Sequence, residues 1–184
     1  MSGRRTRSLA DAAETSGSLV GILLLVGLVA LAAPPLQLLG ITPRTVRGLI
    51  GILFSPLLHA NLGHLITNAL PLFVLLTLLF IDRHYKPAAT LALIWLLSGL
   101  GTWLIGRGGA IHLGASSIIY GLVTYLIASG LLQRTWQSAF VAVVVFVLYG
   151  GVMYGILPRH GPISWEGHLC GACAGVWVAW RNRK

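Results

Sequence analysis

The chain has 184 residues, 56% of them hydrophobic and only 9% charged, where a soluble domain carries about 25% charged residues. So few charges cannot cover a water-facing surface, which excludes an ordinary soluble domain and places the chain among membrane proteins. The net charge of +9 sits mainly at the termini and between apolar runs, so it is a topology signal and not a nucleic-acid footprint.

A helix needs about 20 apolar residues to cross the hydrocarbon core. Six segments qualify: 17–39, 61–81, 87–106, 114–132, 136–157 and 165–181. The expected fold class is all-α, a polytopic membrane protein with a six-helix bundle over residues 17–184. Residues 1–16 are polar and are expected to form a flexible cytoplasmic tail. The first apolar stretch is too long for the h-region of a cleaved signal peptide and is expected to remain as a span. Six spans put both termini on one side of the bilayer. Nine basic residues fall on that side, against Arg44, Arg47, Arg107 and Arg159 on the other. The positive-inside rule then puts both termini in the cytoplasm. No internal repeat is evident, so an inverted-repeat transporter gains no support.

Two connections between spans are unusual. Residues 40–60 are too apolar to float in water and too short to cross and return, so a loop lying partly in the membrane surface is expected. Residues 106–117 (GRGGAIHLGASS) are glycine-rich backbone entering an apolar region. Their amides need protein or water to satisfy them, which predicts a cavity opening to the outer face. A third connection, PRHGPIS at 158–164, carries two prolines and is expected to cap that cavity.

Polar groups within spans are costly and therefore candidate functional residues. His59, His64 and Asn68 flank or begin the second span, Ser116 and Tyr120 begin the fourth, and Glu166 and His168 begin the sixth. With alternating topology, all three starts lie on the outer side and converge at one depth. His64 and Asn68 share a helix face, as do Ser116 and Tyr120. Gly171 and Gly175 follow His168 on one side of the last helix. Small residues at that spacing let two helix backbones approach closely, and Gly121 on the fourth helix eases the same approach.

A serine hydroxyl is a weak nucleophile until a base takes its proton, and a neutral histidine does this well near neutral pH. Ser116 begins a helix, so its amide lacks an intrahelical partner and can face an oxyanion. Asn68 and His64 can supply further donors. Glu166 falls on the other side of the helix from His168 and reads as a favourable charge on the helix dipole. The pattern is a Ser116–His168 dyad, with Tyr120 packed against the imidazole. Cys170 and Cys173 read as small residues of a membrane helix, with too few ligands nearby for a metal.

With these residues in place, the chain resembles the rhomboid intramembrane proteases over residues 40–181. HANLGHLITN (59–68) has their H-x4-H-x3-N pattern, GASS (114–117) is similar to G-x-S-G, and GHLCGACAG (167–175) resembles H-x2-G-x3-G. The resemblance implies a serine endopeptidase of the minimal six-helix bacterial type, in the bacterial inner membrane. It would cut single-pass transmembrane proteins near the outer face, without metal or cofactor. It makes Ser116 the nucleophile and His168 the base, with the Ser116 amide, His64 and Asn68 as oxyanion donors. Tyr120, His59, Gly114, Gly171 and Gly175 support the site. Two features depart from the pattern. Ser117 stands where the family has glycine, and the first outer loop lacks the family's Trp-Arg pair, for which Arg47 is a partial stand-in. Two other readings stay open: a rhomboid-like pseudoprotease that binds membrane clients without cutting them, and a small histidine-using transporter. The oligomeric state is not readable.

Overall fold

A computed structural model describes residues 7–159, 161 and 163–183. Those residues are all-helical, with a single antiparallel bridge between Ile41 and His112. Seven α-helices occur in order: α1 (Leu9–Ala32), α2 (Val46–Phe54), α3 (Leu62–Ile81), α4 (Pro87–Ile105), α5 (Ser116–Leu132), α6 (Trp136–Tyr149) and α7 (Trp165–Asn182). Among the described residues, four helical segments are long and apolar enough to cross a membrane: Leu9–Ala32, Leu62–Ile81, Arg83–Ile105 and Trp136–Ile156. The helix α5 is apolar but has 17 residues, and α7 is not in that set.

The helix α5 is the hub. It packs against α3, α4, α6 and α7, most extensively against α7. Its Leu122, Val123, Tyr125 and Leu126 are fully buried. The α5–α7 approach is close because it is backbone against backbone. A Cβ on Gly171 would lie 2.0 Å from the Ser117 carbonyl oxygen, and one on Gly175 would lie 2.0 Å from that of Gly121. Thr124 Oγ1 adds a hydrogen bond of 2.9 Å to the Ala172 carbonyl. The outermost helix is α6. It buries only Ser138, Ala142 and Val145, and leaves Phe140, Val143, Phe146 and Val147 exposed. Its last turns tighten into a 3₁₀ segment, Gly150–Ile156, which lies against α7.

Two expectations from the sequence need correction. The expected tail is helical from Leu9 on, and residues 1–6 lie outside the described residues. Ser8 caps α1 by accepting the Asp11 amide at 3.0 Å, and Asp11 adds a favourable first-turn charge. The seam of Ala12, Ser16, Val20, Leu23, Gly27 and Ala30 runs the helix along α3. The connection 40–60 holds a helix, α2, where a loop was expected. Thr45 caps it by accepting the Gly48 amide at 3.0 Å, and Gly48 and Gly51 sit directly on the backbone of Thr42 and Gly40. Its outer face exposes Val46, Leu49, Ile50, Leu53 and Phe54. Arg44, not Arg47, ties this region down. Its guanidinium donates to the Leu104 and Gly106 carbonyls at 2.9 and 2.8 Å, while Arg47 is exposed.

Candidate active site

The first turns of α3, α5 and α7 meet at one end of the bundle, around a cavity of about 440 Å³. Its lining includes His64, Asn68, His112, Ser116, Tyr120 and His168. Three helix starts separated in sequence are thus brought together, as the residue pattern predicts.

Ser116 is the first residue of α5 and His168 lies in the first turn of α7. Ser116 Oγ is 2.9 Å from His168 Nε2. His168 Nδ1 is 3.0 Å from the Gly155 carbonyl oxygen. A carbonyl can only accept, so Nδ1 carries the proton and the Nε2 lone pair faces the Ser116 hydroxyl. Chemically, this pair can pass the hydroxyl proton to the imidazole. Tyr120 stacks on the imidazole at 4.1 Å between centroids and 8° between planes. The Tyr120 hydroxyl donates to the Val152 carbonyl at 2.7 Å. Both orienting carbonyls therefore come from the 3₁₀ segment after α6.

Gly114 explains how Ser116 reaches the cavity floor. Its φ is +110°, which favours glycine, and a Cβ there would lie 2.6 Å from His64 Cε1. Its amide donates to the Ser55 carbonyl at 2.9 Å. The His64 ring and the Asn68 amide thus sit beside the turn that leads into Ser116. Asn68 Nδ2 donates one hydrogen to the His64 carbonyl at 2.9 Å, which leaves its second hydrogen for another acceptor. The Ser116 amide lies in the first turn of α5, where the helix supplies no acceptor.

His59 lies behind His64, fully buried, edge-on to its ring with centroids 5.1 Å apart. Its carbonyl accepts from Gln37 Nε2 at 2.8 Å. Burial and the neighbouring His64 push the His59 imidazole down to about 4, against a backbone contact at Leu57.

Sequence reasoning left His112 unassigned and gave Glu166 only a helix-dipole role. His112 is buried, with Nδ1 2.5 Å from Ser164 Oγ. Burial lowers its pKa, and the Arg107 charge adds to this, while the Arg107 carbonyl and Glu166 act in the opposite sense. Glu166 is 3% exposed and pairs with Arg107 Nε at 3.6 Å. It is therefore more than a charge on a helix dipole. The carbonyls of Val152 and Gly155 have no signature of their own. The only hint is the cluster of Gly150, Gly151 and Gly155 at the end of a span. The expected cap at 158–164 falls partly on His160 and Pro162, which lie outside the described residues. Its Ile163 and Ser164 line the cavity.

Residues 46–184 match the family model of the rhomboid domain. An uncharacterized protein of Mycobacterium tuberculosis is 41% identical over 170 residues, covering 88% of this chain and 71% of that protein. One from Mycobacterium leprae is 40% identical over 139 residues, covering 71% of this chain and 55% of that protein. A protein of Acanthamoeba polyphaga mimivirus, printed as "Putative rhomboid protein", is 31% identical over 141 residues, covering 72% of this chain and 74% of that protein. With a rhomboid-domain match over three quarters of its length, the chain belongs to the rhomboid family and is an integral membrane protein.

Proposed function

We propose that this protein is an intramembrane serine endopeptidase that cuts transmembrane segments of single-pass proteins near the outer membrane face. The observation that carries the reading is the Ser116–His168 contact of 2.9 Å, with the imidazole tautomer set by the Gly155 carbonyl. Ser116 Oγ attacks the scissile carbonyl carbon while His168 Nε2 takes its proton. The carbonyl oxygen becomes an oxyanion, and the Ser116 amide, His64 and Asn68 are the donors placed to meet it. The protonated His168 then gives its proton to the leaving amine, and the C–N bond breaks. Water, deprotonated by the same imidazole, hydrolyses the acyl-Ser116 ester and frees the enzyme. The orienting role of a triad carboxylate passes here to the Gly155 carbonyl and the Tyr120 ring.

The membrane arrangement in this reading has six spans, with the short α5 at the centre and α7 packed on α5 and α4. Both termini are cytoplasmic, in a bacterial inner membrane, and the first turns of α3, α5 and α7 face outward. A hydrophobic substrate then reaches Ser116 sideways from the bilayer, and water reaches it from above.

The test is covalent labelling. The detergent-purified protein is treated with a fluorophosphonate, and labelling is expected in the wild type but not in Ser116→Ala or His168→Ala. Undiminished labelling of Ser116→Ala would overturn the assignment.

A further inference from the structure

We propose that His112 and Ser164, with the Arg107–Glu166 ion pair, form a positioning latch that holds Ser116 and His168 in register. The inference rests on the serine-protease reading above and deepens it. His112 lies four residues before Ser116, and Ser164 lies four residues before His168. The His112–Ser164 and Ser116–His168 bonds therefore join residues with the same separation along the chain, 52 positions in each case. One bond sits outside the reacting pair, and the Gly171 contact on Ser117 sits inside it. The dyad is bracketed between the two.

The hydrogens of the latch can be assigned. His112 Nε2 faces the Arg107 carbonyl at 3.4 Å, and a carbonyl accepts only. A neutral His112 thus carries its proton on Nε2, and Nδ1 is bare. Nδ1 then accepts from the Ser164 hydroxyl at 2.5 Å. Ser164 Oγ in turn accepts the Gly167 amide at 3.3 Å, as the cap of α7. One directional chain runs from the first turn of α7 back to the connection that delivers Ser116. The His112 backbone is fixed as well, by reciprocal bonds with Ile41 at 2.8 and 3.0 Å.

A second strap runs alongside. Arg107 Nε pairs with Glu166 Oε1 at 3.6 Å, and the same guanidinium donates to the Ile163 carbonyl. It thus holds the chain on both sides of Ser164, the cap of α7. A buried carboxylate held by one partner is an expensive contact to keep. The connection it steadies contains Gly106, Gly108, Gly109 and Gly114, whose backbone has the most freedom to lose. Without the straps, the distance between Ser116 and His168 would depend on that freedom.

The experiment uses the full chain in detergent and compares His112→Leu, His112→Asn and Glu166→Gln with the wild type. The readouts are the fluorophosphonate labelling rate, kcat and KM on a transmembrane substrate, and Tm. A misplacement of about 1 Å costs on the order of a hundredfold in rate. In His112→Leu and Glu166→Gln, labelling and kcat are expected to fall by roughly ten- to a hundredfold with KM unchanged. His112→Asn, whose amide oxygen can still accept from Ser164, is expected to recover most of the rate. Wild-type rates in Glu166→Gln, or equal slowing in folded His112→Asn and His112→Leu, would overturn the latch and leave the protease reading standing. If His112→Leu fails to fold, the isosteric Glu166→Gln decides. A folded wild type that takes no label overturns the protease reading, and the latch with it.

Discussion

Gly171→Ala tests whether helix approach sets the chemistry. The added Cβ would sit 2.0 Å from the Ser117 carbonyl oxygen and 2.8 Å from its carbon. Carbon and oxygen in contact need about 3.3 Å, so α5 and α7 must part locally by about 1.3 Å. The clash lies next to Ser116 in sequence and one turn beyond His168. An opening of that size takes the 2.9 Å Ser116–His168 contact out of hydrogen-bonding range. The stability cost of overpacking is about 1–3 kcal/mol, small enough to leave a folded protein to assay. The rate cost is on the order of a hundredfold. Fluorophosphonate labelling and cleavage of a transmembrane substrate in detergent measure the rate, and thermal unfolding measures stability. Gly21→Ala is the control. It lies in α1 with nothing within 4 Å of an added Cβ, and it is expected to keep wild-type labelling. A folded Gly171→Ala that labels and cleaves at the wild-type rate would refute the reasoning.

If Asn68 meets the oxyanion as proposed, Asn68→Ala lowers kcat by about 10²–10³ with KM little changed; steady-state kinetics showing only a raised KM would count against it. Tyr120→Phe keeps the 4.1 Å stack but loses the bond to the Val152 carbonyl. It should cost about 1 kcal/mol of stability, with turnover reduced far less than in Tyr120→Ala, as paired melting and cleavage assays would reveal. His59 makes stability pH-dependent. Its folded-state pKa is lowered from 6.5 to about 4, so the unfolded chain binds the proton first. Stability is then complete above pH 6.5, falls as the pH drops toward 4, and is flat below. The loss is on the order of 3 kcal/mol. A pH series of melting curves in which His59→Phe keeps the whole slope would contradict this.

The parts of the site that the sequence discloses are those held on regular helices. Ser116 with Tyr120, and His64 with Asn68, are each four apart, and helical geometry alone puts each pair on one face. His168 with Gly171 and Gly175 follows the same rule, and the close contact of α7 on α5 matches it. What the sequence hides is fixed by tertiary contact. Polar residues 9–16 look like a tail to any hydropathy window, yet the Ser8 cap and the small-residue seam on α3 carry the helix through them. The helix α2 forms where Gly48 and Gly51 meet the Thr42 and Gly40 backbone, a contact with no periodicity to find. Arg44 and Arg47 are three positions apart, but Arg47 lies in α2, and the turn at Arg44, with φ of 58°, aims its guanidinium at the end of α4.

The backbone acceptors have a further consequence. Tyr120 and His168 are both oriented by the segment Gly150–Ile156, through Val152 and Gly155. A Cβ at Gly155 would fall 1.7 Å from the Tyr120 oxygen, so this segment can approach them only with glycine there. Yet no residue of the segment is buried, and it continues the most exposed helix. Buried polar groups are normally hydrogen-bonded. Here the tautomer of His168 depends on a segment at the exposed edge of the bundle. Because both acceptors lie on one segment, a displacement of it would remove them together and leave the His168 tautomer unset. The closed position of this segment is therefore what holds the imidazole of His168 with its bare nitrogen toward Ser116.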